Sequence, residues 1–215
     1  MAYSLVQEAH DFGFSASSKA FAGNVTAGNL LVVWLDNFQN AATAPVTVSD
    51  TLGNTWTQVR STLAGGSGQL TMFWAVANGT GTCTVSFANG GAGFSFPIIQ
   101  VMEFAGGPAS PFEISAQATG SSTSPACSIA VVGTADLIVA AVVPTSSSTT
   151  NTTAGWTNAA GGANHSAIYA VEVAAGTFTP TFTMSVSGGW GVLAVAFSLT
   201  PPPPAGGKST FFIIC

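Results

Sequence analysis

The apolar runs of this chain are short, unbroken and rich in β-branched residues, and no stretch sustains the period of an amphipathic helix. Leu30–Leu31–Val32–Val33 follows Gly28–Asn29, Leu137 to Val143 runs from Asp136 to Pro144, and Trp190 to Phe197 lies between Gly189 and Ser198. Runs of this length and composition, separated by turn residues, read as strands apolar on both faces. In the first half strands are expected near Ser4–Glu8, Lys19–Val25, Asn29–Asp36, Val46–Ser49, Thr55–Arg60, Leu70–Ala77, Thr82–Phe87 and Pro97–Phe104. Val46–Ser49 and Thr55–Thr57 flank Asp50–Asn54 as in a hairpin, with Asp50 capping the turn and Gly53 or Asn54 supplying a positive φ.

The second half repeats the pattern of the first. Gly28–Asn29 before Leu30–Val33 corresponds to Ala135–Asp136 before Leu137–Ala140, and Asn54–Thr57 to Ala154–Thr157. Met72–Val76 matches Ala167–Val171, Thr82–Phe87 matches Thr179–Met184, and Ile98–Phe104 matches Val192–Phe197. The offset drifts from about 107 residues (Leu30 to Leu137) to about 93 (Phe104 to Phe197), as when loops differ and strand order persists. The expected fold is all-β, an antiparallel β-sandwich of jelly-roll-like type over residues 1–200, built from two pseudo-repeats at about 1–106 and 112–199. Gly106 to Pro111 is too short to link independent domains, so one compact unit is expected, with two separate small sandwiches as the alternative.

Beyond residue 200 the texture changes. Pro201–Pro204 favours a polyproline rod of about 12 Å at ~3.1 Å per residue. Ala205–Gly206–Gly207 follows as a swivel, then Lys208 to Cys215 with the apolar run Phe211–Phe212–Ile213–Ile214. An apolar strand held off the body by a stiff spacer invites docking on a neighbour's sheet edge or groove. Phe211, Phe212, Ile213, Ile214 and Cys215 are therefore the candidate assembly residues, with packing on the chain's own body as the alternative. As the last residue, Cys215 is placed to cross-link subunits where the compartment oxidises.

Charged residues make up 5% of the chain, against roughly 25% in ordinary globular domains. A net charge of -5 carried by so few groups opposes association only weakly. Lys19, Arg60 and Lys208 form no basic stripe, so nucleic acid is not an expected partner. No apolar run approaches the ~20 residues of a spanning helix, so membrane insertion is not expected. Residues 1–15 carry Glu8, His10 and Asp11 and show no signal-peptide core.

The chemistry expected from the sequence is sparse. His10 adjoins Asp11, but neighbours on a strand face opposite ways; His165 lies in a Gly-rich loop. No motif for a serine triad, phosphate loop or metalloprotease occurs, and no enzyme activity, cofactor or metal is expected. Glu103 and Glu172 are expected at rims facing solvent, and Asp36, Asp50 and Asn54 as turn-capping groups rather than calcium ligands. Cys83 and Cys127 lack metal-ligand spacing and read as buried thiols, with a mutual bridge as the alternative. Trp34, Trp56, Trp74 and Trp156 read as core. Trp190, between Gly189 and Gly191, is the one expected to be exposed and is a candidate ligand contact.

Gly28–Val33 (Gly-Asn-Leu-Leu-Val-Val), Val48–Trp56 (Val-Ser-Asp-Thr-Leu-Gly-Asn-Thr-Trp) and Val101–Gly106 (Val-Met-Glu-Phe-Ala-Gly) together resemble β-sandwich structural proteins of bacterial surfaces and tailed-phage particles. The resemblance is one of texture over most of residues 1–200. It implies a sandwich fold and an extracellular, cell-surface or virion setting, and it assigns no binding residues. The expectation is a non-catalytic structural subunit of a filament, fibre or virion that associates with copies of itself. A glycan-binding sandwich module is the alternative, with surface glycans as partners.

Overall fold

The computed structural model describes residues 2–38, 46–63, 68–89, 97–134, 136–145, 149–151, 153–161 and 166–199. These contain seventeen strands and no helix. In the first half they are β1 (Ser4–Asp11), β2 (Ser18–Ala20), β3 (Leu30–Phe38), β4 (Val46–Asp50), β5 (Thr57–Leu63), β6 (Gly68–Val76), β7 (Thr84–Asn89) and β8 (Pro97–Ala105). In the second they are β9 (Phe112–Ser122), β10 (Ile129–Val131), β11 (Asp136–Pro144), β12 (Thr149–Asn151), β13 (Thr157–Gly161), β14 (Ser166–Val173), β15 (Gly176–Phe178), β16 (Phe182–Met184) and β17 (Gly188–Phe197).

All strand pairs are antiparallel. One five-stranded sheet runs β1-β8-β3-β6-β5, the other β9-β17-β11-β14-β13. Counting β15 and β16 as one strand interrupted at Pro180, both sheets read first–eighth–third–sixth–fifth within their own half. A small sheet β2-β7-β4 backs the first. The ribbons β10-β15 and β12-β16 back the second in the same order. Backbone bonds from Cys127 to Pro180, Phe182 to Pro125 and Met184 to Thr123 continue the β10 side of that layer.

The result is four layers. Leu30, Val32, Trp34, Met72, Met102 and Phe104 of the first large sheet meet Leu137, Val139, Ala141, Leu193, Val195 and Phe197 of the second. Their alternate neighbours turn outward. Leu31, Val33, Ile99 and Val101 pack under Phe21, Val25, Val46 and Val85, and Ile138, Ala140, Val142 and Ala194 under Cys127, Ile129, Phe182 and Met184. Both faces of β3 and β11 are thus covered, which is why their sequences are continuous apolar runs rather than alternating ones.

The expected hairpin at residues 46–57 is instead an arch. β4 pairs with β7 and β5 with β6, so the turn carries the chain from a small sheet to a large one. Its chemistry is as the sequence implies. Asp50 Oδ1 accepts from the Leu52 and Asn54 amides at 2.7 and 3.3 Å, Oδ2 accepts from Asn54 Nδ2 and Trp56 Nε1 at 2.9 and 2.6 Å, and Gly53 takes φ +70°. Local pattern reports the turn, whereas long-range packing decides which strands it joins.

Candidate functional site

The candidate assembly residues Phe211, Phe212, Ile213, Ile214 and Cys215 lie outside the described residues, as does His165. The described chain reaches the start of that tail at a defined corner. There the end of β17 meets the start of β9, the turn before β11 and the N-terminal segment. The Ser198 amide donates to Pro111 O at 2.8 Å, and the Tyr3 hydroxyl donates to Ser198 O at 3.1 Å. The Glu113 carboxylate accepts from the Val132 and Gly133 amides through Oε1 at 2.6 and 3.3 Å.

Asp136 opens β11 beside Glu113 and is fully buried (0% exposed). Its carboxyl lies against Glu113, Ser198 and the Leu199 backbone. A Cβ at position 133 would stand 2.5 Å from both Asp136 oxygens, so only glycine admits the carboxyl there. Burial, and next the adjoining Glu113 carboxyl, push Asp136 up to about 7, with Ser198 and the Leu199 backbone pulling the other way. Burial, then the nearby Asp136 charge, raise the Tyr3 phenol as well.

The corresponding corner of the first half is built differently. Glu103 is fully buried and accepts from Gln7 Nε2 at 2.5 Å, the Thr26 amide at 2.8 Å and Asn29 Nδ2 at 2.6 Å. This corrects the expectation of a solvent-facing rim, because three donors from β1 and the turn before β3 meet the charge. Asn29 stands just before β3, and Asp136 is the first residue of β11. One half therefore has an amide–acid contact where the other has two acids.

Trp190 is also corrected. It is 9% exposed, lies in the outer core of the second half, and donates from Nε1 to Ser122 Oγ at 3.0 Å. Its ring covers Gly120 on β9, where a Cβ would come within 2.5 Å of Cζ2. The glycines flanking Trp190 signalled exposure, but the glycine across the sheet makes room for burial. The other four tryptophans also pack on the three cores.

A polar chain with no counterpart among the sequence expectations crosses β1. Trp34 Nε1 donates to Gln100 Oε1 at 2.6 Å, Gln100 Nε2 to Glu8 Oε2 at 3.1 Å, and that same oxygen lies 3.2 Å from His10 Nδ1. The His10 ring stacks on Phe12 at 4.4 Å. The i, i+2 spacing of Glu8 and His10 on one strand face was the available signal, whereas Asp11 caps the Gly13 amide. The hydrogen-bond contact of the imidazole is the Glu8 carboxyl on its own strand.

Cys83 and Cys127 are free and buried, one in each outer core, so no bridge joins them. Burial pushes their thiols up to about 12 and about 11, far from thiolate reactivity at neutral pH. Among the described residues no group of three or more His, Cys, Asp or Glu is placed to hold a metal ion. No protein-family model and no curated protein matches the chain.

Proposed function

We propose that this chain is a non-catalytic structural subunit of an extracellular filament, fibre or virion, associating with copies of itself through its C-terminal tail. The observation that carries the reading is the scarcity of charge on the outside of the body. Of eight acidic residues, Asp36, Glu103 and Asp136 are at most 1% exposed, so the surface is poorer in charge than the composition implies. A surface wetted by hydroxyls and amides opposes the approach of a second copy only weakly. The Phe211–Ile214 run on its proline spacer supplies the apolar contact such association needs.

The saccharide-binding alternative relied on Trp190 standing exposed, and its burial leaves that reading without a named contact. Deleting residues 201–215 tests the proposal. Electron micrographs of the purified full chain are expected to show ordered assemblies, and those of the truncated chain dispersed particles with an unchanged strand-rich circular dichroism spectrum. Assemblies that survive the truncation would remove the tail from the account.

A further inference from the structure

Four strands edge the two large sheets, and three of them are built against pairing. β1 breaks register at Val6 and carries Glu8, His10 and Asp11. β5 breaks register at Val59 beside Arg60. β13 runs only from Thr157 to Gly161 and breaks at Ala159. Bulges, charges and shortness are the usual protections of an exposed edge.

β9 differs. Its break falls at Glu113, near its start, and from Ile114 to Ser122 it pairs with β17 without interruption. That stretch holds no charge and no proline, and no described strand pairs with its other side. It is the one long edge left open on the large sheets among the described residues.

We propose that the open edge of β9 is the docking site for the Lys208–Cys215 segment of a neighbouring copy. The inference rests on the assembly reading above and names its receiving surface. The segment matches the edge: Thr210 to Ile214 is uncharged and β-forming, and β9 carries no charged residue of its own from Ala116 to Ser122, the Arg60 guanidinium being held by Ser115 nearer the start of the strand.

Geometry favours a neighbour over the chain itself. The described chain ends beside Pro111, at the start of β9. The spacer from Thr200 to Gly207 reaches about 25 Å when extended. Antiparallel addition within one chain would have to begin at Ser122. The spacer would run nearly the whole length of β9 and reverse within Gly206–Gly207. A second copy's edge accepts the segment with no such constraint.

The test compares three proteins by sedimentation velocity over a concentration series: the full chain, the chain lacking residues 201–215, and the triple variant Gln117→Lys, Thr119→Lys, Ser121→Lys. The three substituted positions are exposed, so the fold should tolerate the change. Tail removal and the lysines are each expected to weaken association by about tenfold or more. Normal association of the lysine variant, with loss on tail removal, would place the tail elsewhere and overturn this inference alone. Normal association without the tail would overturn the assembly reading as well. Loss with the lysines but not with tail removal would mean that β9 pairs with β9 of a second copy, overturning the tail as occupant. A Thr119→Cys variant gives a readout independent of the lysines. Mild oxidation should link it through Cys215 into intermolecular products, and their absence would count against docking.

Discussion

Asp136 and Glu103 show how one corner is solved twice with opposite consequences. Glu103 is supplied with three donors. Glu103→Ala would leave three part-buried donors without their acceptor and cost about 1–3 kcal/mol, read from the urea midpoint. Asp136 is buried against the Glu113 carboxyl, with Ser198 and the Leu199 backbone the groups that favour its charged form. Its carboxyl lies above the unfolded value, so the protonated form belongs to the folded state. The stability it contributes is complete below pH ~4 and is lost as pH rises towards about 7, beyond which this group has no further effect. Asp136→Asn places on β11 the residue type that precedes β3. It should flatten the melting temperature between pH 4 and 7 and raise it at pH 7.5. A pH profile identical to that of the parent chain would show that Asp136 ionises freely. Neither acid could be assigned from sequence, because their partners Gln7, Thr26 and Asn29, or Glu113 and Tyr3, are brought together only by folding. Trp190→Ala should cost about 3–5 kcal/mol as a buried aromatic truncation, and a loss under 1 kcal/mol would return the ring to the surface.

The strands themselves were largely written in the chain. Seven of the eight expected in the first half coincide with observed strands to within about three residues, because β-branched runs between turn residues have few other uses, whereas the expected Lys19–Val25 strand is confined to Ser18–Ala20. β9 escaped notice, since Ser115 to Ser122 is mostly Ala, Ser, Thr and Gly and lacks the β-branched signature. Its strand character comes from pairing with β17 rather than from propensity. The arch at 50–56 escaped for the complementary reason: a cap looks the same whichever sheet receives the next strand. Asp50 ties that arch through four hydrogen bonds. Asp50→Ala should therefore cost about 2–3 kcal/mol and increase amide exchange at Leu52 and Asn54. Unchanged exchange would show that the arch is held by packing alone.

At the scale of the molecule, an all-β chain was legible in the apolar runs, but the stacking of the two large sheets was not. Two large sheets meet across Leu137, Val139, Leu193 and Phe197 on one side and Leu30, Trp34, Met72 and Phe104 on the other. Such an interface depends on which face each run turns inward, and a run apolar on both faces does not announce that. Leu193→Ala at the centre should cost about 2–5 kcal/mol and leave a single unfolding transition, since each half borders the lost contact. Two resolved transitions would mean that the halves hold independently. The outward consequence of this architecture is a body with three of its acids buried and, among the described residues, one long open edge on its large sheets. The account therefore stands on self-association. Sedimentation velocity of the full chain across a hundredfold concentration range tests it most directly. A weight-average mass that climbs steadily above that of one chain is the predicted result, and a single monomeric species at every concentration would contradict it.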